Sequence, residues 1–104
     1  MAQFDVYENN DPATKESIPY LLDLQTDLLD NLTTRVVVPL VTHTAMGKAA
    51  QHLNPQFKVR RSTVVMSTAE LAGVGLHILG DKVCSLREHR SEIITALDFL
   101  FTGF

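Results

Sequence analysis

Four histidines (His43, His52, His77 and His89), one cysteine (Cys84) and the cationic run "KVRR" from Lys58 to Arg61 are the side chains of this chain best suited to chemistry. A zinc site needs histidines at H-x-x-x-H or H-E-x-x-H spacing, or a second cysteine, and the sequence has neither. His77, inside "GLHIL", fits the solvent side of a strand. Cys84 at a helix N-terminus would be an acidified thiol, but beside Val83 and Leu86 it reads as a small buried hydrophobe. The "AGVG" of Ala72 to Gly75 lacks the downstream lysine and hydroxyl of a phosphate-binding loop. Asp23, Asp27 and Asp30 are spaced like a solvated face, not like paired carboxylates. On residue types and spacing alone, no catalytic residue, metal ligand or cofactor site is assigned.

The elements that position these residues are short. "QFDVYE" (Gln3 to Glu8) alternates Phe4 and Val6 with polar or amphipathic neighbours, the period-2 mark of a half-buried strand. "NNDPATKES" (Asn9 to Ser17) has no large apolar residue and reads as an exposed loop. A strand over Pro19 to Gln25 follows, with Tyr20, Leu22 and Leu24 on one face, and then a single helical turn over Thr26 to Asn31. "RVVVPLVT" (Arg35 to Thr42) is a dense β-branched strand in which Pro39 marks an edge, a bulge or a bend. His43 to Pro55 suggests a long connection holding a helical turn. Phe57 to Ser67 reads as a hairpin turning near Arg60 to Ser62, and Ala69 to Val74 and Gly75 to Leu79 as two short extended stretches.

The period then changes. Leu86, Ile93, Ile94, Leu97, Leu100 and Phe101 share one broad face at about 100° per residue, which predicts an amphipathic helix. Ser85 and Glu88 fit a capping box at its start, and Gly103 supplies its left-handed stop. On this reading Asp98 and Phe99 point away from the packed face, and Phe104 projects beyond the helix. The expected class is mostly β with a C-terminal α-helix, a small sheet or barrel with the helix packed on it, in one domain over residues 1–104.

Composition narrows the function classes. A net charge of −3 argues against unaided nucleic-acid binding, which needs a basic footprint. A single cysteine excludes an intramolecular disulfide and suits a reducing cytoplasm. The N-terminal residues carry no signal-peptide pattern, and no apolar run approaches the roughly 20 residues of a membrane span. A 45% hydrophobic content favours, mildly, an oligomer.

Three stretches carry a resemblance: "MAQFDVYEN" at the start, "LLDLQTDLLDN" leading into "TRVVVPL", and the ending "RSEIITALDFLFTGF". Together, in this order, the chain resembles the CcdB family of bacterial toxins, the toxins of type II toxin–antitoxin systems that poison DNA gyrase. The resemblance implies an SH3-like β-barrel with a C-terminal helix, a homodimer, and no enzymatic activity or cofactor. It implies a cytoplasmic toxin that inserts between the two A subunits of DNA gyrase and traps the complex with cleaved DNA. It also implies a cognate CcdA-like antitoxin that removes the toxin from gyrase. Toxin and antitoxin together repress their own operon, with operator DNA reached only through the antitoxin.

Site residues follow from the same resemblance. The gyrase contacts map to Thr26, Leu28, Leu29, Asp98, Thr102, Gly103 and Phe104. Thr26 keeps the family's hydroxyl, and Leu28 and Leu29 keep its apolar pair. Asp98 stands for an asparagine, and Thr102 for a tryptophan that stacks on gyrase arginines, a cation–π contact worth about 0.5–2 kcal/mol. Antitoxin contact maps to Glu8, Asn9, Asn10 and Asp11, and the dimer contact, more loosely, to Leu100 and Phe101. Two alternatives stand beside this. RNA-cleaving toxins share the barrel, and an endoribonuclease could recruit His43 or His52 with Arg60 or Arg61 as acid, base and cation. The other alternative is a relative that has lost gyrase poisoning and still binds an antitoxin.

Overall fold

A computed structural model describes residues 2–103. Strands β1 (Asp5–Asn9), β2 (Tyr20–Asp23), β3 (Thr34–Thr42), β4 (Gln56–Val59), β5 (Ser62–Met66), β6 (Ala72–Gly75) and β7 (Leu79–Ser85) form one curled antiparallel sheet. Its order is β4-β5-β3-β2-β1-β7, with β6 also paired to β3. A short helix α1 (His43–Met46) follows β3, and helix α2 (Arg90–Thr102) closes the chain.

β3 organises the sheet because it is long enough to serve three neighbours. Its first residues, Thr34 to Val37, pair with β6, and its last, Leu40 to Thr42, pair with β5. β2 runs along the opposite side, from Asp23↔Val37 to Tyr20↔Leu40. Pro39 falls between the β6 and β5 registers, where a missing donor costs the ladder least. The bend expected at Pro39 is thus a handover between two partner strands.

Both faces of this sheet are covered, which alternation in β1 did not suggest. Even-numbered Val6, Leu22, Val38 and Leu40 join Phe4, Phe57, Met66, Leu86, Ile93 and Ala96 in the main core, with Tyr20 and Leu24 packed against it. Odd-numbered Tyr7, Leu21, Val37 and Leu79 form a second core with Ile18, Val74 and Ile78. A strand flanked on both faces loses the apolar–polar contrast that marks a half-buried one. At Gly80 on β7, a Cβ would meet Asn10 Oδ1 at 2.7 Å and the Glu8 carbonyl at 3.0 Å, so any other residue would have to displace the Asn10 side chain and press on the β1 backbone.

The β4–β5 hairpin turns at Arg60 and Arg61, both with positive φ (49° and 69°), as a two-residue hairpin of the primed kind requires. Arg60 reaches Glu8 on β1 at 3.3 Å, linking the hairpin tip to the far side of the curled sheet.

Three expectations near the C-terminus are corrected. Strand β7 runs through Ser85, so the helix does not start there; only Val83 and Cys84 of β7 touch the main core, and its pairing with β1 is dictated by backbone, not by pattern. Ser85 Oγ accepts from the Arg87 N–H, but Leu86 is the N-cap of the 3-10 turn over Arg87–His89, no side chain caps it, and α2 itself begins at Arg90. Phe101 is 70% exposed, not packed. Core burial on α2 is complete at Ile93 and Ala96 and partial at Ile94 and Leu97, and Phe101, one turn further on, belongs to neither core. Gly103 does end the helix in the left-handed region (φ 82°), its N–H bonding the Phe99 carbonyl.

Cys84 is half-buried against the main core, and burial pushes its thiol pKa up, away from reactivity. His77 is exposed as expected, but in a 3-10 turn over Leu76–Ile78 and not on a strand.

Candidate partner-binding site

After β2 the chain makes a 3-10 turn over Asp27–Leu29 that buries none of its residues. Leu28 is 89% exposed and Leu29 and Leu32 are 46% exposed. Exposed leucines cannot hold a turn in place, so its order comes from polar contacts. Thr26 Oγ1 accepts from the Leu28 N–H at 3.4 Å. Asp27 Oδ1 accepts from the Gln3 N–H at 2.7 Å. Phe4, left-handed at φ 70°, is fixed by its N–H to the Asp23 carbonyl and its carbonyl to the Leu86 N–H, which carries Gln3 across β2 to that contact. Gln25, nearly buried, donates to the carbonyls of Leu29 (3.0 Å) and Thr34 (3.3 Å) and accepts from the Val36 N–H (3.0 Å).

Beneath the turn lies Arg35, with 0% exposure. Its Nε donates to Asp23 Oδ2 at 3.1 Å and its Nη2 to the same carboxylate at 2.6 Å and to the Gln25 carbonyl at 3.2 Å. Its Nη1 turns outward to Asp30 Oδ1 at 3.0 Å. Asp23 is itself fully buried, which corrects the reading of Asp23, Asp27 and Asp30 as one solvated face. That i, i+4, i+7 spacing describes a helix, whereas Asp23 stands on β2 with its side chain on the second face beside Arg35 and Tyr7. Burial pushes the Asp23 carboxyl up, and Arg35 and the Gln25 N–H pull it back only in part.

The cluster extends to Asp5, whose carboxylate accepts from Tyr7 Oη at 3.4 Å and pairs with Lys82 at 3.4 Å. Burial, and then the Asp5 and Asp23 charges, raise the Tyr7 hydroxyl from 10.0 to about 12. An unfolded tyrosine loses its proton first, so folding stability falls as pH rises from about 10 to about 12, by some 2–3 kcal/mol. Phenolate absorbance should show a step near pH 12 that disappears in Tyr7→Phe, together with this alkaline loss of stability.

At the other end of the molecule's functional inventory, α2 exposes Asp98 and Thr102 in its last turns. Thr102 Oγ1 donates back to the Asp98 carbonyl at 2.7 Å, so its hydroxyl is committed to the helix end. Phe101 and Phe99 (37% exposed) present rings beside them. Phe104 lies outside the described residues.

The loop expected to be open is well tied. Glu8 and Asn9 belong to β1, and Asn9 is 2% exposed. Its amide donates to Thr14 Oγ1 and the Ile18 carbonyl at 2.9 Å, and its Oδ1 accepts from the Asp11 N–H. Asn9 therefore braces the loop, while Glu8, Asn10 and Asp11 remain at the surface.

The residues that could cleave RNA are not assembled. His43 Nε2 contacts Gln56 Oε1 at 3.2 Å, at the start of β4. His52 lines a cavity of about 570 Å³ with Asn54, Gln56, Glu92 and Thr95, between the connection before β4 and α2. Arg60 and Arg61 follow the far end of β4, roughly 13 Å further along the strand direction.

Comparisons with known proteins place the chain in a family. Residues 3–103 match the family model of the CcdB protein. The chain belongs to the CcdB family. CcdB proteins are toxins, and the match spans the leucine turn, Arg35 and the α2 terminus alike. An endoribonuclease in complex with its cognate antitoxin from mycobacterial species has the same fold, with a TM-score of 0.74 over 94% of this chain and 91% of that one. At 17% identity this likeness speaks for the fold alone. No helix among the described residues is long and apolar enough to cross a membrane.

Proposed function

We propose that this CcdB-family toxin poisons DNA gyrase, binding the A subunit through the Asp27–Leu29 turn and the α2 terminus. The observation that carries the reading is the apolar turn itself: Leu28 is 89% exposed on a segment braced by buried polar groups. A leucine so exposed on a held turn adds nothing to its own fold and suits a partner's pocket. A homodimer would present two copies of the turn, matching the two-fold arrangement of paired A subunits. Asp98 and the carbonyl end of α2 offer negative charge to gyrase arginines. With Thr102 folded onto the helix, Phe101, the more exposed of the two described rings at the helix end, is positioned to stack on them in place of tryptophan. No bond is made or broken by the toxin in this scheme. It holds gyrase in the state already joined to cleaved DNA. An antitoxin is proposed to engage the Glu8–Asp11 surface, reverse the trapping and carry the toxin to operator DNA.

The fold shared with an endoribonuclease supports a second reading, RNA cleavage. Expression in a gyrase-sensitive bacterium separates the two. Gyrase-linked DNA breaks with intact total RNA, abolished by deleting Gly103 and Phe104, support poisoning. Degraded RNA without DNA breaks supports cleavage. If neither appears and an antitoxin still binds, the chain is a relative that has lost poisoning.

A further inference from the structure

We propose that Asp30, held by the outer limb of the Arg35 guanidinium, is a positioning residue that keeps the leucine turn in the pose its partner reads. The inner limb of Arg35, toward Asp23, serves the fold. The inference rests on the reading of this turn as the gyrase contact and deepens it.

The two limbs differ in environment. Nε and Nη2 form a complete fork on Asp23, and both side chains are 0% exposed, so that half is an interior ion pair. Nη1 meets Asp30, whose side chain is 53% exposed. A pair open to water on one side contributes little to global stability. Its position gives it another use. Asp30 is the residue that closes the 3-10 turn, its own N–H bonding the Asp27 carbonyl. Fixing its side chain fixes the C-terminal end of the turn, just as the Gln3 N–H fixes Asp27 and Gln25 fixes the Leu29 carbonyl.

Three polar braces therefore surround a turn whose leucines face out and whose residues are none of them buried. Apolar packing, the usual source of order, is limited here to the partial cover of Leu29. Ordering such a turn only upon binding would subtract from affinity, and bracing it beforehand removes that cost. The sequence hides this because Arg35 and Asp30 look like ordinary surface charges flanking an apolar strand.

Asp30→Ala in the full chain tests the inference. Amide hydrogen exchange of residues 28–32 should accelerate about tenfold while β2 and β3 amides stay protected. Tm should fall by no more than about 4 °C. The Kd for a purified gyrase A fragment should rise roughly three- to tenfold. Asp30→Asn, which keeps an acceptor oxygen for Nη1, should fall between the variant and the natural protein on both readouts. Weaker binding with unchanged exchange would make Asp30 a direct contact and overturn the proposal. Faster exchange with unchanged Kd would overturn it too, as would a collapse of Tm. Failure of the natural protein to bind gyrase would sink the gyrase reading, and the exchange data alone would then decide whether Asp30 braces the turn.

Discussion

Asp23→Ala is expected to lower stability by about 3–5 kcal/mol, measured by urea unfolding at neutral pH, enough to threaten folding of a domain this small. The size follows from what remains. Arg35 is fully buried, so without Asp23 its charge keeps the Gln25 carbonyl and the half-exposed Asp30. The double variant Asp23→Leu with Arg35→Met removes both charges and should recover most of the loss, because apolar residues of similar volume replace buried ion pairs at little cost. It should still disturb the leucine turn, since Nη1 no longer reaches Asp30. Stability and partner binding would thereby separate in one protein. A double variant no more stable than Asp23→Ala would show that the pair's geometry, and not its charge balance, holds the second face together.

Leu28→Asp should have the opposite profile. At 89% exposure the side chain packs on nothing in its own fold, and stability should change by no more than about 0.5 kcal/mol. If the leucine enters a desolvated pocket on gyrase, a buried carboxylate there should weaken binding on the order of 100-fold or more. Calorimetric titration of a gyrase A fragment, with thermal melts in parallel, reads both quantities. Growth inhibition should be lost in step with affinity.

The fold was legible where pattern and chemistry coincide. The β-branched run of β3, the common face of Tyr20 and Leu22 on β2 with Leu24 just beyond it, and the stop at Gly103 all stand as their sequences suggest. What escaped depends on tertiary partners. The second core of Tyr7, Leu21, Val37 and Leu79 draws single residues from separate elements, and no window of sequence contains it. β7 has too few apolar side chains to mark it, and its existence follows from the backbone groups β1 offers. Phe101 has the right helical phase for the core, but periodicity does not say how far along the helix the buried stripe extends.

The candidate site was half legible. The resemblance marked Thr26, Leu28 and Leu29, and the structure shows them on an exposed, braced turn. The braces were invisible. Gln25 was read only as the end of a strand, and Asp23 and Asp30 as part of a solvated face. One signal was available: an arginine opening an apolar strand, with an aspartate closing the strand before it. In this antiparallel pair Asp23 lies opposite Val37, the same-face neighbour of Arg35 on β3, and a charge flanked by β-branched residues needs a partner.

The account's central claim is that the leucine turn lets this toxin hold gyrase on cleaved DNA. The most direct test mixes purified gyrase, supercoiled plasmid and the toxin, then adds detergent and protease to reveal trapped double-strand breaks as linear DNA. The account predicts linear DNA with the natural protein, none with Leu28→Asp, and reversal when the antitoxin is added. Absence of linear DNA with the natural protein, or equal amounts with Leu28→Asp, would contradict it.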